Sequence, residues 1–180
     1  MKKQKRFKEY KRKSERRTDY RTRLRLLSSG KTRLVIRKTL NNIIVQFVDY
    51  SPKGDKVLVS CNSCELKKLG WKSNTGNIPA AYLTGLLAGA EAKKKNIKKA
   101  ILDIGLFRAG ERIYAALKGV ADSKIEIPHS NEIYPSEDRI QGKHIISYSQ
   151  NTKEKLQFSK NKPDKLKEEF EDLKNKIMKM

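Results

Sequence analysis

The chain has 180 residues, with 42 lysines and arginines against 20 acidic residues, so its formal net charge is +22. Its hydrophobic fraction of 37% is enough for about one ordinary domain with extensions. The excess of positive charge favours an acidic partner, with nucleic acid ahead of an anionic membrane surface. The chain has neither the apolar run of about 20 residues that a spanning helix needs nor a secretory signal, so we predict a cytoplasmic protein without a membrane partner.

Positive charge is concentrated at one end of the chain. The first 38 residues contain 17 lysines and arginines and only three acidic residues, and so carry +14. Residues 1–30 are called the basic arm below. A helix is predicted within it, over residues 14–27, because Tyr20, Leu24 and Leu27 recur at helical spacing and Ser-Ser-Gly follows them.

The composition of the basic arm predicts binding to folded RNA. Arginine and lysine neutralise phosphates and release counterions, and tyrosine and phenylalanine stack on unpaired bases. The predicted contacts from charge and aromatic character are Lys5, Arg6, Lys8, Tyr10, Arg12, Arg16, Arg17 and Tyr20, with Phe7 as a further stacking residue. Two other interpretations of the arm are a solvated tail and a nuclear localisation signal.

Alternating apolar residues separated by turn residues predict a three-stranded antiparallel meander next. Its strands cover residues 33–40, 43–50 and 56–60. A short helix over residues 61–69 and a long helix over residues 78–95 then precede a buried strand at residues 100–104. A strand that follows a helix in this way indicates a crossover connection and parallel pairing.

The remaining elements are predicted to be helical. Helices are expected over residues 111–121 and 136–148, and an amphipathic helix over residues 163–180 would form a coiled coil or dock on a partner. The predicted fold is therefore α/β, with a mixed sheet packed by helices, the basic arm before it and a helical tail after it. Three regions follow: the arm at 1–30, an α/β domain at 31–149, and a lysine-rich linker and helix at 150–180.

The loop that precedes the long helix is a second candidate for phosphate binding. It offers hydrogen-bond donors and a glycine immediately before a helix N-terminus, where free backbone N–H groups favour anions. Its candidate residues are Lys72, Asn74, Thr75, Gly76 and Asn77. The alternative is an ordinary helix start capped by Asn77, and Trp71 is either part of the core or a stacking surface.

Cys61 and Cys64 form a C-x-x-C motif, which has two functional interpretations. A zinc site needs a second pair of ligands, and the two histidines lie far away at positions 129 and 144. A thiol–disulfide site would begin a helix after a strand, as predicted here. That function leaves the positive charge unexplained. Because the second pair of zinc ligands is missing, we predict no metal.

No residue pattern indicates catalysis. The run GLFRAG (residues 105–110) has the span of a phosphate loop but lacks the following Lys-Ser/Thr pair. Asp49 and Asp103 lie near strand ends, where a single carboxylate more often caps a turn or pairs with a cation. We therefore predict no catalytic residue, no cofactor and no small-molecule substrate.

Several long runs resemble a known family. They are TDYRTRLRLLSSGKTRLVIRKT (18–39), DYSPKGDKVLVS (49–60), ELKKLGWKSNTGNIPAAYLTGLLAG (65–89), AILDIG (100–105) and IPHSNEIYPSEDRIQGKHI (127–145). Over about residues 5–149 the sequence is similar to the archaeal form of a universal large-subunit ribosomal protein. In the bacterial count this is the eighteenth protein, and its eukaryotic counterpart is the fifth. The tail beyond Gln150 and the two cysteines are outside this resemblance.

The resemblance implies a specific partner. Members of this family bind 5S rRNA, help attach it to 23S rRNA in the central protuberance, and lie beside the other 5S-binding ribosomal protein. Carried over by position, the implied RNA-facing residues are Tyr20, Arg21, Arg23, Arg25, Lys53, Gly54, Trp71, Lys72, Asn74, Thr75, Gly76, Asn77, Lys143 and His144. The alternatives to this non-enzymatic role are a general RNA chaperone and a thiol oxidoreductase.

Overall fold

A computed structural model describes residues 9–151 and 163–180 of the chain and shows a four-stranded mixed sheet. Its strands are β1 (Arg33–Lys38), β2 (Ile43–Asp49), β3 (Lys56–Asn62) and β4 (Ile101–Asp103), in the spatial order β3-β2-β1-β4. The pairs β1–β2 and β2–β3 are antiparallel, and β1–β4 is parallel. The predicted meander and parallel crossover strand are both confirmed.

The described residues also form helices. They are α1 (Lys11–Ser14), α2 (Tyr20–Ser28), α3 (Leu66–Leu69), α4 (Ile78–Lys94), α5 (Glu111–Asp122), α6 (Glu137–Ile140), α7 (Lys143–Asn151) and α8 (Leu166–Met178). Short 3₁₀ turns cover Ser63–Glu65, Asn131–Ile133 and Pro163–Lys165. Cys61 lies in β3 rather than in the short helix predicted for residues 61–69.

The core lies on one face of the sheet. Alternation along the strands places Leu34, Ile36, Val45 and Phe47 on this face, where α4 and α5 cover them. Helix α4 is buried on nearly every side from Ile78 to Gly89, because it lies between the sheet, α5 and α8.

Two helices predicted as continuous are divided. The helix predicted for residues 14–27 begins only at Tyr20. Ser14 ends the separate short helix α1, because Arg16 has a positive φ of 51° and Asp19 caps α2. The helix predicted for residues 136–148 breaks at Gly142, whose φ of 79° favours glycine.

The tail helix α8 packs on its own chain. Its four apolar residues at helical spacing are all buried, and the Phe170 ring lies 5.6 Å from the Tyr82 ring of α4. The Tyr82 hydroxyl donates a 2.7 Å hydrogen bond to Asp122 at the end of α5, which ties the three helices together. The amphipathic face is thus covered by α4, not presented to a partner. Most of the predicted linker lies at residues 152–162, outside the described residues.

Helices α4 and α5 approach closely at two glycines. A Cβ placed on Gly85 would overlap the carbonyl oxygen of Ala116, and one on Gly119 would overlap the carbonyl oxygen of Tyr82. Each helix thus contacts the backbone of the other where no side chain intervenes. This explains why α4 contains glycines although each costs helix propensity.

We expect Gly85→Ala to destabilise the protein by about 1–3 kcal/mol, because the added methyl group forces the helices apart. Urea denaturation measures the loss. Gly110→Ala is the matched control, since a Cβ there meets only the flexible Lys38 side chain at 4.0 Å. Equal losses in both variants would contradict the close-packing explanation.

Candidate nucleic-acid interface

The described part of the basic arm, residues 9–30, lies over the open face of the sheet, opposite α4 and α5. The side chains of Arg33, Val35 and Arg37 in β1 point to this face, because Leu34 and Ile36 point into the core. Between the arm and the sheet is a cavity of about 280 Å³. Arg12, Arg17 and Asp19 of the arm line it on one side.

A chain of ion pairs connects α2 to the sheet. Asp55, in the β2–β3 turn, accepts hydrogen bonds from Arg23 Nη2 at 2.8 and 2.9 Å and from Arg33 Nη2 at 2.6 Å. Asp103, at the end of β4, accepts from Arg33 Nη1 at 2.9 Å and from Arg37 Nη2 at 3.2 Å. The expectation that Asp103 pairs with a cation is confirmed.

The environment of Asp55 favours its charged form. Burial opposes ionisation, but the hydrogen bonds from Arg23 and Arg33 outweigh it and hold the pKa of Asp55 below its ordinary value. The Arg23 side chain is only 31% exposed and is committed to this carboxylate. Arg23 was expected to face RNA; in this structure it faces Asp55.

The other described arginines of the arm are exposed. Arg12, Arg16, Arg17, Arg21 and Arg25 all lie at the surface. Arg12 donates a hydrogen bond to Thr18, and Arg17 makes a surface ion pair with Glu15 at 3.4 Å. Among the described residues, no carboxylate forms an ion pair with Arg16 or Arg25. The side chains of Arg16 and Arg25 are therefore available to bind phosphates.

Two tyrosines accompany this row of arginines. Tyr10 is 72% exposed, and its ring centroid lies 5.2 Å from that of Tyr20. The exposed turn residues Lys53 and Gly54 directly precede Asp55, so the Arg23–Asp55 pair brings them beside α2. The predicted residues Lys5, Arg6, Phe7 and Lys8 lie outside the described part of the chain.

The loop before α4 lies at the other end of the sheet, against the β1–β2 turn. Asn77 accepts a hydrogen bond from the Ala80 backbone N–H, so the interpretation of a helix start capped by Asn77 is confirmed. Trp71 is only 2% exposed and donates from Nε1 to the Asn74 carbonyl, which makes it a core residue here. Thr75 is buried as well, whereas Lys72 and Asn74 are exposed.

One side-chain oxygen holds this loop in place. Asn42 Oδ1 accepts hydrogen bonds from Thr75 Oγ1 at 2.8 Å, Cys64 Sγ at 3.0 Å and Ser63 Oγ at 3.4 Å. Thr75 also donates to the Asn41 carbonyl at 2.9 Å. The β1–β2 turn therefore fixes both the start of α3 and the loop before α4.

We expect Asn42→Ala to cost about 1–3 kcal/mol of stability, because it removes the shared acceptor of three donors. Thermal unfolding followed by circular dichroism measures the loss. The control is Asn131→Ala, at an exposed asparagine, with an expected change within about 0.5 kcal/mol. A loss for Asn42→Ala no larger than that of the control would show that this acceptor is dispensable.

A third loop completes this end of the sheet, and it was not among the predicted contacts. The Lys38 Nζ donates to the Arg108 carbonyl at 3.4 Å, and Arg112 Nη1 donates to the carbonyls of Thr39, Leu40 and Gly76 at 3.2–3.4 Å. Residues 37–42, 70–77 and 104–110, which form these three segments, contain no aspartate or glutamate. That absence can be read in the sequence and indicates a surface without carboxylates to repel an anion.

The surface of this end also carries apolar side chains. Leu40 is 88% exposed and Leu106 is 55% exposed. The Phe107 ring lies 5.9 Å from the Arg37 guanidinium. Exposed apolar groups next to cationic side chains suit nucleotides, which present both bases and phosphates.

Lys143 and His144 lie apart from both regions. They begin α7, which packs on α6 and so belongs to the helical side of the sheet. Lys143 forms an ion pair with Asp138. Burial and the nearby Arg139 lower the pKa of His144, which favours its neutral form. Neither residue is brought together with the arm.

The environments of the two cysteines differ. Cys61 is buried in β3, and burial with the nearby Glu65 and Glu91 raises the pKa of its thiol to about 12. A thiol of that pKa is a poor nucleophile at neutral pH. Within the described residues, no three potential metal ligands cluster, and no helix is long and apolar enough to cross a bilayer.

Comparison with known proteins identifies the family. Residues 5–99 and 90–130 match the family described as "Ribosomal large subunit proteins 60S L5, and 50S L18". A relative from the archaeon Methanococcus maripaludis, "Large ribosomal subunit protein uL18", is 49% identical over 181 residues, covering 94% of each chain.

With the cationic surface, these matches define a structural, non-enzymatic component of the large ribosomal subunit. The chain belongs to the family of ribosomal large subunit proteins 60S L5 and 50S L18. Its partners are ribosomal RNA and other ribosomal proteins, and its place is the ribosome in the cytoplasm. The expectation that it is not an enzyme is confirmed.

Proposed function

We propose that this protein binds 5S rRNA and helps attach it to 23S rRNA in the central protuberance, beside the other 5S-binding ribosomal protein. The observation that carries the proposal is the row of exposed arginines on the basic arm, held across the open face of the sheet. Arg16, Arg21 and Arg25 present their guanidinium groups to solvent there. Lys53 and Gly54 continue the same surface.

The chemistry of this surface suits a folded RNA. Guanidinium groups bind phosphate in a bidentate manner and release condensed counterions, which supplies affinity without reading base sequence. Tyr10 adds an exposed ring that can stack on an unpaired base. Recognition then depends on the spacing of the arginines on a rigid support, because this spacing has to match the shape of the RNA.

The opposite end of the sheet supports the attachment role. The β1–β2 turn and the β2–β3 turn lie at opposite ends of β2, so the carboxylate-free loops and the turn beside α2 are separated by the length of that strand. Lys72 and Asn74 are exposed in those loops, with Leu40 beside them. Two separate cationic surfaces on one rigid sheet allow one protein to contact two RNA segments.

We expect nanomolar-class binding to 5S rRNA that weakens steeply with salt. With about 6–10 phosphate contacts, the affinity falls by ~10³–10⁵ between 50 and 200 mM salt. Filter binding with labelled 5S rRNA, against unlabelled transfer RNA as competitor, measures both affinity and selectivity. Equal affinity for the two RNAs would contradict the proposed specificity for 5S rRNA and favour a general RNA chaperone.

We expect Arg25→Gln to weaken binding to 5S rRNA and to lower the slope of log affinity against log salt by about 1, because one phosphate contact is lost. Lys124→Gln is the matched control, since Lys124 is an exposed cation after α5, on the helical side of the sheet. An equal effect in both variants would indicate that total charge, not the arm surface, determines binding.

A further inference from the structure

Helix α2 is held to the protein by few apolar contacts. None of its residues is buried, and Leu24 is 70% exposed. Leu26 only lines the cavity above Val35, Val48 and Val57. Burial of apolar surface therefore contributes little to the position of this helix, although three of the predicted RNA-binding arginines lie on it.

Polar contacts supply the link that apolar contacts do not. Arg23 on α2 donates hydrogen bonds to both oxygens of Asp55, and the second donor to that carboxylate is Arg33 in β1. Arg33 is only 3% exposed and is fixed in turn by Asp103. The position of α2 thus depends on a carboxylate that is itself held by a buried arginine.

The negative charge of Asp55 is unfavourable on a surface that binds RNA. A carboxylate beside Lys53 and Arg23 repels phosphate, so its removal would be expected to strengthen binding to a polyanion. Its geometry predicts the opposite effect, because without it α2 loses its connection to the sheet. If α2 samples many positions in the free protein, it must become ordered when RNA binds, and the lost conformational entropy lowers the affinity.

We propose that Asp55 is a positioning residue for RNA binding, which holds α2 and its arginines over the sheet through Arg23. Arg23 serves this contact and does not itself bind phosphate. The proposed position of α2 is a property of the free protein and does not depend on RNA. The effect of Asp55 on RNA affinity rests on the proposed binding of 5S rRNA.

The first test needs no RNA. Hydrogen exchange of the α2 amides is measured in the full chain and in the Asp55→Asn and Arg23→Gln variants, with the α4 amides as the internal standard. We expect faster exchange in α2 and unchanged exchange in α4. Arg23→Gln leaves Arg33 with both carboxylates, so it remains informative if Asp55→Asn also perturbs the sheet. Unchanged α2 exchange in Arg23→Gln would overturn the proposal.

The second test compares two variants that each remove one negative charge. We expect Asp55→Asn to lower affinity for 5S rRNA by about tenfold, the effect of about 1.4 kcal/mol. Glu15→Gln, at an exposed carboxylate of the arm, should leave affinity unchanged or slightly raised. Affinity in Asp55→Asn equal to or above that of the unaltered protein would refute the positioning role.

The double variant separates the two possible roles of Arg23. If Arg23 acts only through Asp55, combining Arg23→Gln with Asp55→Asn gives no further loss of affinity beyond either single change. An additive loss would show that Arg23 contacts RNA directly. Failure of the unaltered protein to prefer 5S rRNA would refute the proposed function alone, since the exchange experiment stands without RNA.

Discussion

The guanidinium group of Arg33 is the contact on which the arrangement of the cationic surface depends. It is buried on the open face of the sheet at the start of β1, and it donates to Asp55 from one nitrogen and to Asp103 from the other. A buried cation is tolerated only when carboxylates surround it, so β1, β4 and the β2–β3 turn must meet at this point. Helix α2 then joins the same cluster through Arg23.

The rest of the chain separates charge from the core. Apolar side chains fill the space between one sheet face and the helices, where α4 and α5 contact each other through glycines. The opposite face carries arginines, and α2, none of whose residues is buried, lies over it. One sheet therefore serves both as the wall of a core and as the support for a cationic surface, which concentrates the charge on one side.

The sequence predicted those parts of the fold that depend on local pattern. The alternation of apolar residues located β1 and β2 to within two residues of their ends, and the helix-then-strand order gave the parallel pairing of β4. The interruption at Arg16 was missed, because a positive φ in a non-glycine residue has no local sequence signal. The division at Gly142 was missed for a related reason, since glycine also occurs within helices.

The site was less accessible to prediction than the fold. Exposed arginines could be listed from composition, but the partners of Arg23 and Arg33 are 32 and 22 residues away in the chain. Sequence alone does not show which cations are neutralised by such distant carboxylates. Trp71 illustrates the same limit, because a tryptophan in a polar loop fits a core or a stacking surface equally well until its burial is known.

The packing of α8 on α4 has a consequence for synthesis. Every element that contacts RNA in the proposed function precedes α8 in the chain, and so leaves the ribosome before it. Until α8 is made, the α4 surface that contains Tyr82 lacks its cover of Phe170, Leu173 and Ile177. The nascent protein therefore has a complete cationic surface before it has a complete core, so it can attract RNA while it is still vulnerable to aggregation.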